Sequence, residues 1–560
     1  MRDFINFVLV FTLRNLASAE WDWRETPSLR EEGKNEVIAG PQRVGRYDPQ
    51  HCNMSKTSNW ATLGDVEASN SPSKARKNRF SLRNAAWTLA TIGLIATGVF
   101  HYFSKHDSSW AHLRLPGTEG RFQPCRNHED ADRLKNFKQC AIDNLLETGL
   151  PFLEKALPIN IGDFEERRQR LAEALVAEEV DAFVVEPGYT FKYYGNVSQP
   201  EWEVWEPEER PFLMIVRPFD DGTGNIKANT TFLCPSFEAE RARLLGMPFT
   251  EAIQIVPWEE HWDPYITLQQ SDVFSDLTRK PRLMVDEEMR DFIQRGLSSV
   301  GFEVVGLSGR VEEVRQIKSS SEIEILRAVN TGTVEAVRQV RKCLYPGLTE
   351  NEIAEALDSA LRAAGMDPFF DIVLFDENAS NPHGGTNGSK VLEAETLVLI
   401  DVGAHLYGYS SDICRTFFPP FFEKPLTEEE KQTFAPHIAE KLNVWNIVFD
   451  AQTQSIHQFR ENETAASVDI AARTVIDQAG YEGTFTHRVG HGIGIKAHES
   501  PYLNKGNHKT LLKTGMAFTS EPGIYLVDKF GVRHEDIFVV QGDGEPELLT
   551  GRRATGPWDP

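Results

Sequence analysis

Basic residues and cysteine are both scarce in this chain. Its 560 residues carry 59 Lys and Arg against 83 Asp and Glu, a formal charge of −24. That deficit excludes a nucleic-acid binder, because affinity for a phosphate backbone is built on Lys and Arg. Six cysteines over this length do not make a disulfide scaffold. Cys125 and Cys140 would pair only in a lumenal chain; the competing expectation is six free thiols. Histidine is sparse too, with 15 residues, yet three of them crowd into "FTHRVGHGIGIKAHES", 485–500, as His487, His491 and His498. Familiar signatures are missing there. The glycines at 490, 492 and 494 run G-x-G-x-G, which fits neither a dinucleotide turn nor a P-loop, and there is no H-E-x-x-H. Three alternate glycines also argue against a helix. An extended strand would turn His487 and His491 to one side.

What is present is ordinary for a globular protein: 40% hydrophobic and 25% charged residues, enough for two or three domains with real cores. The first stretch differs. Residues 1–83 lack apolar periodicity over most of their length and read as largely disordered. Within them, 4–19 contains an apolar run ending in Ala17-Ser18-Ala19, which looks like a signal peptidase site. Residues 84–104 carry no Asp, Glu, Lys or Arg and have the length of a bilayer-crossing helix. Lys74, Arg76, Lys77, Arg79 and Arg83 precede them, so the positive-inside rule predicts a single-pass type II anchor with the larger part lumenal or extracellular. The signal-like run implies the opposite topology. Met54 supplies a type II start that would omit residues 1–53, and a buried helix at 84–104 would instead leave the chain cytoplasmic. Residues 105–158 read as a linker with helical character.

Regular patterning begins near 159. Phe164, Leu171, Leu175 and Val180 form a helical stripe. "DAFVVE", "PFLMIV", "TTFLCP" and "RLMVD" read as short buried strands. Strand–helix alternation predicts an α/β domain over 159–318. "SSSE" at 319–322 is a capping box that opens a helix to about Leu344, and Thr349 with Glu352 caps a second ending at Gly365. A second domain is expected over 319–550, with a tail at 551–560.

"LVLIDVGAHLYGYSSDICRTFF", 397–418, reads as a hairpin turning between Leu406 and Tyr407, which sets Asp401 opposite Asp412. "FTSEPGIYLVDKFGVRHEDIFVV", 518–540, turning near Asp528, sets Glu521 opposite Glu535. Opposed carboxylates repel, so a sheet keeps them only with a cation between. Four carboxylates and an imidazole suit two divalent ions. Oxygen donors favour Mn²⁺ or Mg²⁺, and histidine shifts the balance toward Mn²⁺, Co²⁺ or Zn²⁺. Such pairs, about 3.5–4 Å apart, activate water for hydrolysis. The glycines around His491 would let backbone crowd close to the metals.

"NPHGGT", "LIDVGAHLYGYSSDICRTFF", "HRVGHGIGIKAHESP", "SEPGIY" and "GVRHED", in this order, resemble the pita-bread metallopeptidase family, in its Xaa-Pro aminopeptidase and prolidase branch. Residues 159–318 resemble that branch's creatinase-like N-terminal domain. The resemblance implies an α+β fold, with a C-terminal pita-bread domain preceded by an α/β domain. It implies Asp401 as ligand of one metal, Asp412 and Glu535 as ligands of both, and His491 and Glu521 completing the second. A hydroxide bridging the two ions would attack the carbonyl before proline, with Glu521 handling its proton. His383 and His498 match histidines that hydrogen-bond substrate and tetrahedral intermediate. His487 matches one near the proline-binding end, and Arg533 an arginine that positions Glu535 or substrate. The implied partners are a proline-containing peptide and a second copy of the chain; the implied cofactor is a pair of divalent ions, Mn²⁺ first. Two departures stand out: His534, where the family has an apolar residue, and Ile537, where a second acid is common. The alternatives are a creatinase-like hydrolase or lyase and a non-catalytic tethered binding protein. The intact ligand set argues against both.

Overall fold

The computed structural model describes residues 128–560, all within one unit, Glu119–Pro560. The segments read above as disordered, signal-like and membrane-spanning, together with Cys125, lie outside the described residues. Among the described residues no helix is long and apolar enough to cross a membrane. This corrects the expectation of a single-pass type II membrane protein.

Helix α1, His128–Glu147, precedes the first sheet but packs elsewhere. Its Phe137, Ala141 and Leu145 share an apolar cluster with Leu357 and Leu361. Helix α2, Ile161–Ala177, starts where the Asn160 side chain accepts from the Asp163 amide, and it buries Phe164, Leu171 and Leu175. It lies on a six-stranded mixed sheet made of β1 Ala182–Val185, β2 Leu213–Asp220, β3 Ile226–Pro235, β4 Gln254–Trp258, β5 Arg282–Val285 and β6 Glu303–Gly306. The order is β4-β3-β2-β1-β5-β6; β1–β2 and β2–β3 are antiparallel, the other pairs parallel. The four strands expected from apolar runs are present. The two unexpected ones, β4 and β6, are the edges. Of the four tryptophans within 159–318, Trp202 stacks on Phe212 and Trp258 is buried, whereas Trp205 and Trp262 are exposed.

Helix α3, Gly309–Gln316, leads to α4, Ser320–Cys343, and α5, Glu350–Ala363, each opened by its capping box: Ser319 with Glu322 and Thr349 with Glu352. These helices pack on a sheet of β7 Asp367–Phe375, β8 Val398–Leu406 and β10 Ile413–Phe417, ordered β10-β8-β7, with β9 Tyr409–Ser410 beside β8. A second sheet runs β12-β11-β13-β16-β17, from β11 Gly490–Gly492, β12 Glu499–Leu503, β13 Ala517–Ser520, β16 Asp536–Val539 and β17 Glu547–Leu548. The hairpin β14 Gly523–Leu526 and β15 Phe530–Arg533 stands between.

The expectation of six free thiols is corrected, as is the Cys125–Cys140 pair. Cys140 on α1 is bonded to Cys343 at the end of α4, 203 residues away, because α1 packs against that helix; Cys234 and Cys414 are free and buried. Closing so long a loop restricts the unfolded chain. The Cys140→Ser/Cys343→Ser variant is expected to lose about 2–4 kcal/mol, read as a lowered urea midpoint with a steeper slope, because the unfolded chain is no longer held compact.

Candidate metal centre

The β8 strand "VLIDVGAHL" is buried almost throughout because β7 and β10 pair with it on both sides. Asp401 is its single acid. The hairpin register differs from the expected one. Leu406 pairs with Tyr409 and Asp401 with Cys414, so Asp412 sits diagonally from Asp401 and not opposite it. The turn centres on Tyr407 and Gly408, both with positive φ, the geometry of a tight two-residue hairpin turn. A two-residue slip keeps both carboxylates on one face, since side chains alternate with period two. In the second hairpin, Gly523 pairs with Arg533 and Ser520 with Asp536. Glu521 and Glu535 occupy the joint between these ladders, in the expected register. The Glu535 amide donates to Cys414 O at 3.0 Å, and the Arg533 amide donates to Thr416 Oγ1 at 3.1 Å. These bonds stitch the hairpins together and bring all four acids to one point.

His491 lies at the centre of β11, buried. The glycines beside it serve the strands and not the metals. A Cβ on Gly490 would sit 2.1 Å from Thr519 O, and one on Gly492 2.7 Å from Glu499 O. Only glycine lets β12 and β13 close on β11 from both sides. His491 Nδ1 is 3.1 Å from Gly492 O, so it carries the proton and donates. Nε2 is then a lone pair, 3.4 Å from Glu521 Oε1 and 3.7 Å from Asp412 Oδ2. A lone pair facing carboxylate oxygens is repulsive unless a cation lies between.

Three overlapping donor groups lie within 4.8 Å: Asp401, Asp412 and Glu535; His491, Glu521 and Glu535; and Asp412, His491 and His498. Asp401 pairs with Arg533, but among the described residues no Lys or Arg pairs with Asp412, Glu521 or Glu535. Asp401 Oδ1 and Glu535 Oε1 are buried without a hydrogen-bond partner. Burial raises Asp401 to about 6 against the pull of Arg533, raises Glu521 to about 8, and pushes Glu535 well above its ordinary range. Burial also lowers His491 to about 3, which keeps it neutral. Uncompensated carboxylates this deep are costly, and a divalent cation compensates them. The donor set fits one.

Asp401, Asp412, Glu521, His383, His487 and His498 line a cleft of about 870 Å³, while His491, Glu535 and Arg533 stand behind its floor. His498 Nε2 is 3.5 Å from Asp412 Oδ2. His487 donates from Nδ1 to Arg488 O at 2.7 Å and accepts at Nε2 from the Tyr525 hydroxyl at 2.7 Å. Tyr525 accepts from Arg533 Nη1 at 2.9 Å, and Arg533 Nη2 donates to Asp401 Oδ2. Tyr525 went unread in the sequence, although the two-residue period from Glu521 puts position 525 on the same face. Gly523 makes room for it: a Cβ there would meet the Tyr525 hydroxyl at 2.4 Å. The cleft wall of Phe369, Phe370 and Tyr502 was also missed. Of the two departures, His534 is buried edge-on to Trp445, away from the cleft, and Ile537 joins the apolar cluster under α4.

The sequence profile of metallopeptidase family M24 matches residues 324–542. An uncharacterised peptidase of Schizosaccharomyces pombe is 38% identical over 434 residues, 77% of this chain and 90% of its own length. A dipeptidase from Pyrococcus horikoshii OT3 superposes with a TM-score of 0.56 at 28% identity, over 69% of this chain and 98% of that one. An Xaa-Pro dipeptidase from Bacillus anthracis does so with 0.54 at 25%, over 70% and 98%. The fold is accordingly the pita-bread α+β fold. Divalent-metal peptide hydrolysis comes with that family, and by profile, relatives and architecture alike this chain belongs to metallopeptidase family M24.

Proposed function

We propose that the protein is a dinuclear exopeptidase that hydrolyses Xaa-Pro bonds, with 319–550 as its catalytic unit and 159–318 as a creatinase-like lobe. The observation that carries this reading is the pair of partnerless oxygens, Asp401 Oδ1 and Glu535 Oε1, within a four-carboxylate donor set in which, among the described residues, only Asp401 is paired with a Lys or Arg. Asp401 would hold one ion, His491 and Glu521 the other, and Asp412 and Glu535, each common to two of the donor groups, would serve both. Mn²⁺ suits this oxygen-rich set with one imidazole, with Co²⁺ and Zn²⁺ as alternatives. When bound, the ion pair polarises the scissile carbonyl and lowers the pKa of water.

The chain's own residues do the rest. Glu521, which faces the cleft and is ionised once the metals are held, takes the proton from the attacking water and returns it to the leaving nitrogen. His498 and His383, on the cleft wall, donate to the carbonyl oxygen as it gains charge. The Arg533–Tyr525–His487 chain holds the far end of the site rigid. Phe369, Phe370 and Tyr502 give an apolar wall suited to a pyrrolidine ring. A homodimer belongs to the same reading, and light scattering at twice the chain mass would bear it out.

The test is hydrolysis of Gly-Pro, Ala-Pro and a longer Xaa-Pro-Xaa peptide by the full chain, metal-free and with added Mn²⁺, Co²⁺ or Zn²⁺. Metal-dependent release of the first residue is expected, and the preferred length separates dipeptidase from aminopeptidase. Binding of about two metals per chain without turnover would overturn the reading.

A further inference from the structure

Between β11 and β12, residues 494–498 belong to no strand. This loop carries His498, whose imidazole reaches into the cleft and lies 4.1 Å, ring to ring, from His491. Within the catalytic sheets its backbone is held only near its start. Gly494 O accepts from the Ser410 amide at 2.9 Å, and Ile495 O accepts from Ser410 Oγ at 3.3 Å.

The other attachments run to the six-stranded-sheet lobe. Ile495 is 3% exposed and belongs to the apolar cluster of that lobe, among Leu171, Phe191, Tyr193 and Val314; every other buried member of the cluster lies between Leu171 and Val314. Lys496 Nζ is 2.8 Å from Glu288 Oε1 and 3.3 Å from Glu287 Oε1, on the segment that follows β5. Glu499 is buried, pairs with Lys318, and has Oε2 3.4 Å from Arg315 Nε. Arg315 in turn holds Glu287 at 3.0 Å and Thr190 Oγ1 at 2.7 Å. Gln316 Nε2 donates to Ser500 Oγ at 3.3 Å. Positions 495, 496, 499 and 500 are thus held from the N-terminal lobe, while Ala497 and His498 face the cleft. Gly494 allows the approach: a Cβ there would sit 2.8 Å from Glu499 Oε1 and 2.9 Å from Lys318 Nζ.

We infer that the N-terminal lobe is the seat of the catalytic loop, and that Ile495, Lys496 and Glu499 are positioning residues through which that lobe sets the imidazole of His498. An apolar plug fixes the depth of the loop, and ion pairs on either side of His498 fix its rotation. Misplacement of a catalytic group by about 1 Å costs on the order of 10²-fold in rate, so loosening the seat acts on turnover before it acts on the fold. A contact that merely glued the lobes together would change stability without regard to His498.

The kinetic half of this inference rests on the role given to His498 under Proposed function, so the experiment has two readouts. Lys496→Met removes a partly exposed ion pair, Ile495→Ala thins the plug, and Lys496→Arg is the conservative control. By hydrogen exchange on the full chain, both loosening variants are expected to speed the amides of 494–499 at least about threefold, with the rest of the catalytic lobe unchanged. In the Mn²⁺-loaded enzyme, Lys496→Met is expected to lower kcat about tenfold with KM within about twofold and metal content unchanged. Lys496→Arg restores it. In a His498→Ala background the same substitution is expected to have no further effect on kcat. Unaltered exchange in both loosening variants would overturn the seat, whatever the activity. A kcat loss that persists in full without His498 would overturn the positioning role. An enzyme that binds metal and cleaves none of the peptides would remove the peptidase reading alone, and exchange would still decide the seat.

Discussion

Glu535→Gln is expected to cut turnover by roughly 10³ while leaving the metal-free protein as stable as before or slightly more so. The two effects have one cause. Glu535 is buried beside three other carboxylates, its Oε1 has no partner, and its proton is held well above the ordinary range by burial and by Asp412, Glu521 and Asp401. Without metal it is close to a neutral group already, so an amide of the same shape costs little and relieves like-charge repulsion. With metal it must ionise and serve both donor groups, which an amide cannot do. Metal analysis is expected to fall from about two ions per chain to one or fewer, and the melting midpoint in chelator to stay level or rise. A variant that keeps two ions and wild-type turnover would remove Glu535 from the site.

Chelation is expected to abolish turnover outright and to change how stability responds to pH. Glu521 is held at about 8 in the folded chain against an ordinary 4.5, and Asp401 at about 6 against 3.8. Between those values the metal-free folded chain keeps protons that the unfolded chain has released. These two groups therefore favour the fold at low pH, and their contribution drains as pH rises through about 8. His487, His491 and His534, lowered to about 3 from 6.5, act the other way: their contribution is present above 6.5 and is lost as pH falls toward 3. The two sets oppose each other below 6.5. Above it only the carboxylates still titrate, so the metal-free melting midpoint is expected to fall from pH 6.5 to 8.5. With Mn²⁺ the same carboxylates are ionised in the complex, the fall is abolished, and binding releases protons, so affinity rises over the same interval. Calorimetry in two buffers of different ionisation enthalpy measures that release. A metal-free midpoint that rises across this interval would contradict the burial described for Glu521.

The candidate site was legible in the sequence because its residues violate their context: an acid amid the apolar run of β8, and an imidazole between two glycines on β11, need a reason to be there. The capping boxes at Ser319 and Thr349 were legible because the bonds they make are local. The hairpin register around Asp401 was not, since Tyr407 takes a positive φ that no residue preference announces. β4 contains Pro257 and is half exposed; β6 is four residues long. Both are edge strands, where half the ladder and half the burial that make a strand readable are missing. Tyr525 was hidden by its hydrophobic surroundings, since a hydroxyl committed to His487 and Arg533 leaves no mark in the pattern. The Cys140–Cys343 bond spans 203 residues, and pairing at that distance is decided by how α1 packs, which composition does not encode.

That bond has a consequence for how the chain tolerates being cut. The whole six-stranded sheet lies between its two cysteines, so the N-terminal lobe is a covalently closed insertion. Its exposed tip at 221–225, between β2 and β3, is an open target for a protease. A nick there separates the polypeptide into two pieces that remain one molecule, with the lobe still seated on the catalytic loop, and only a reductant would show that the chain had been divided.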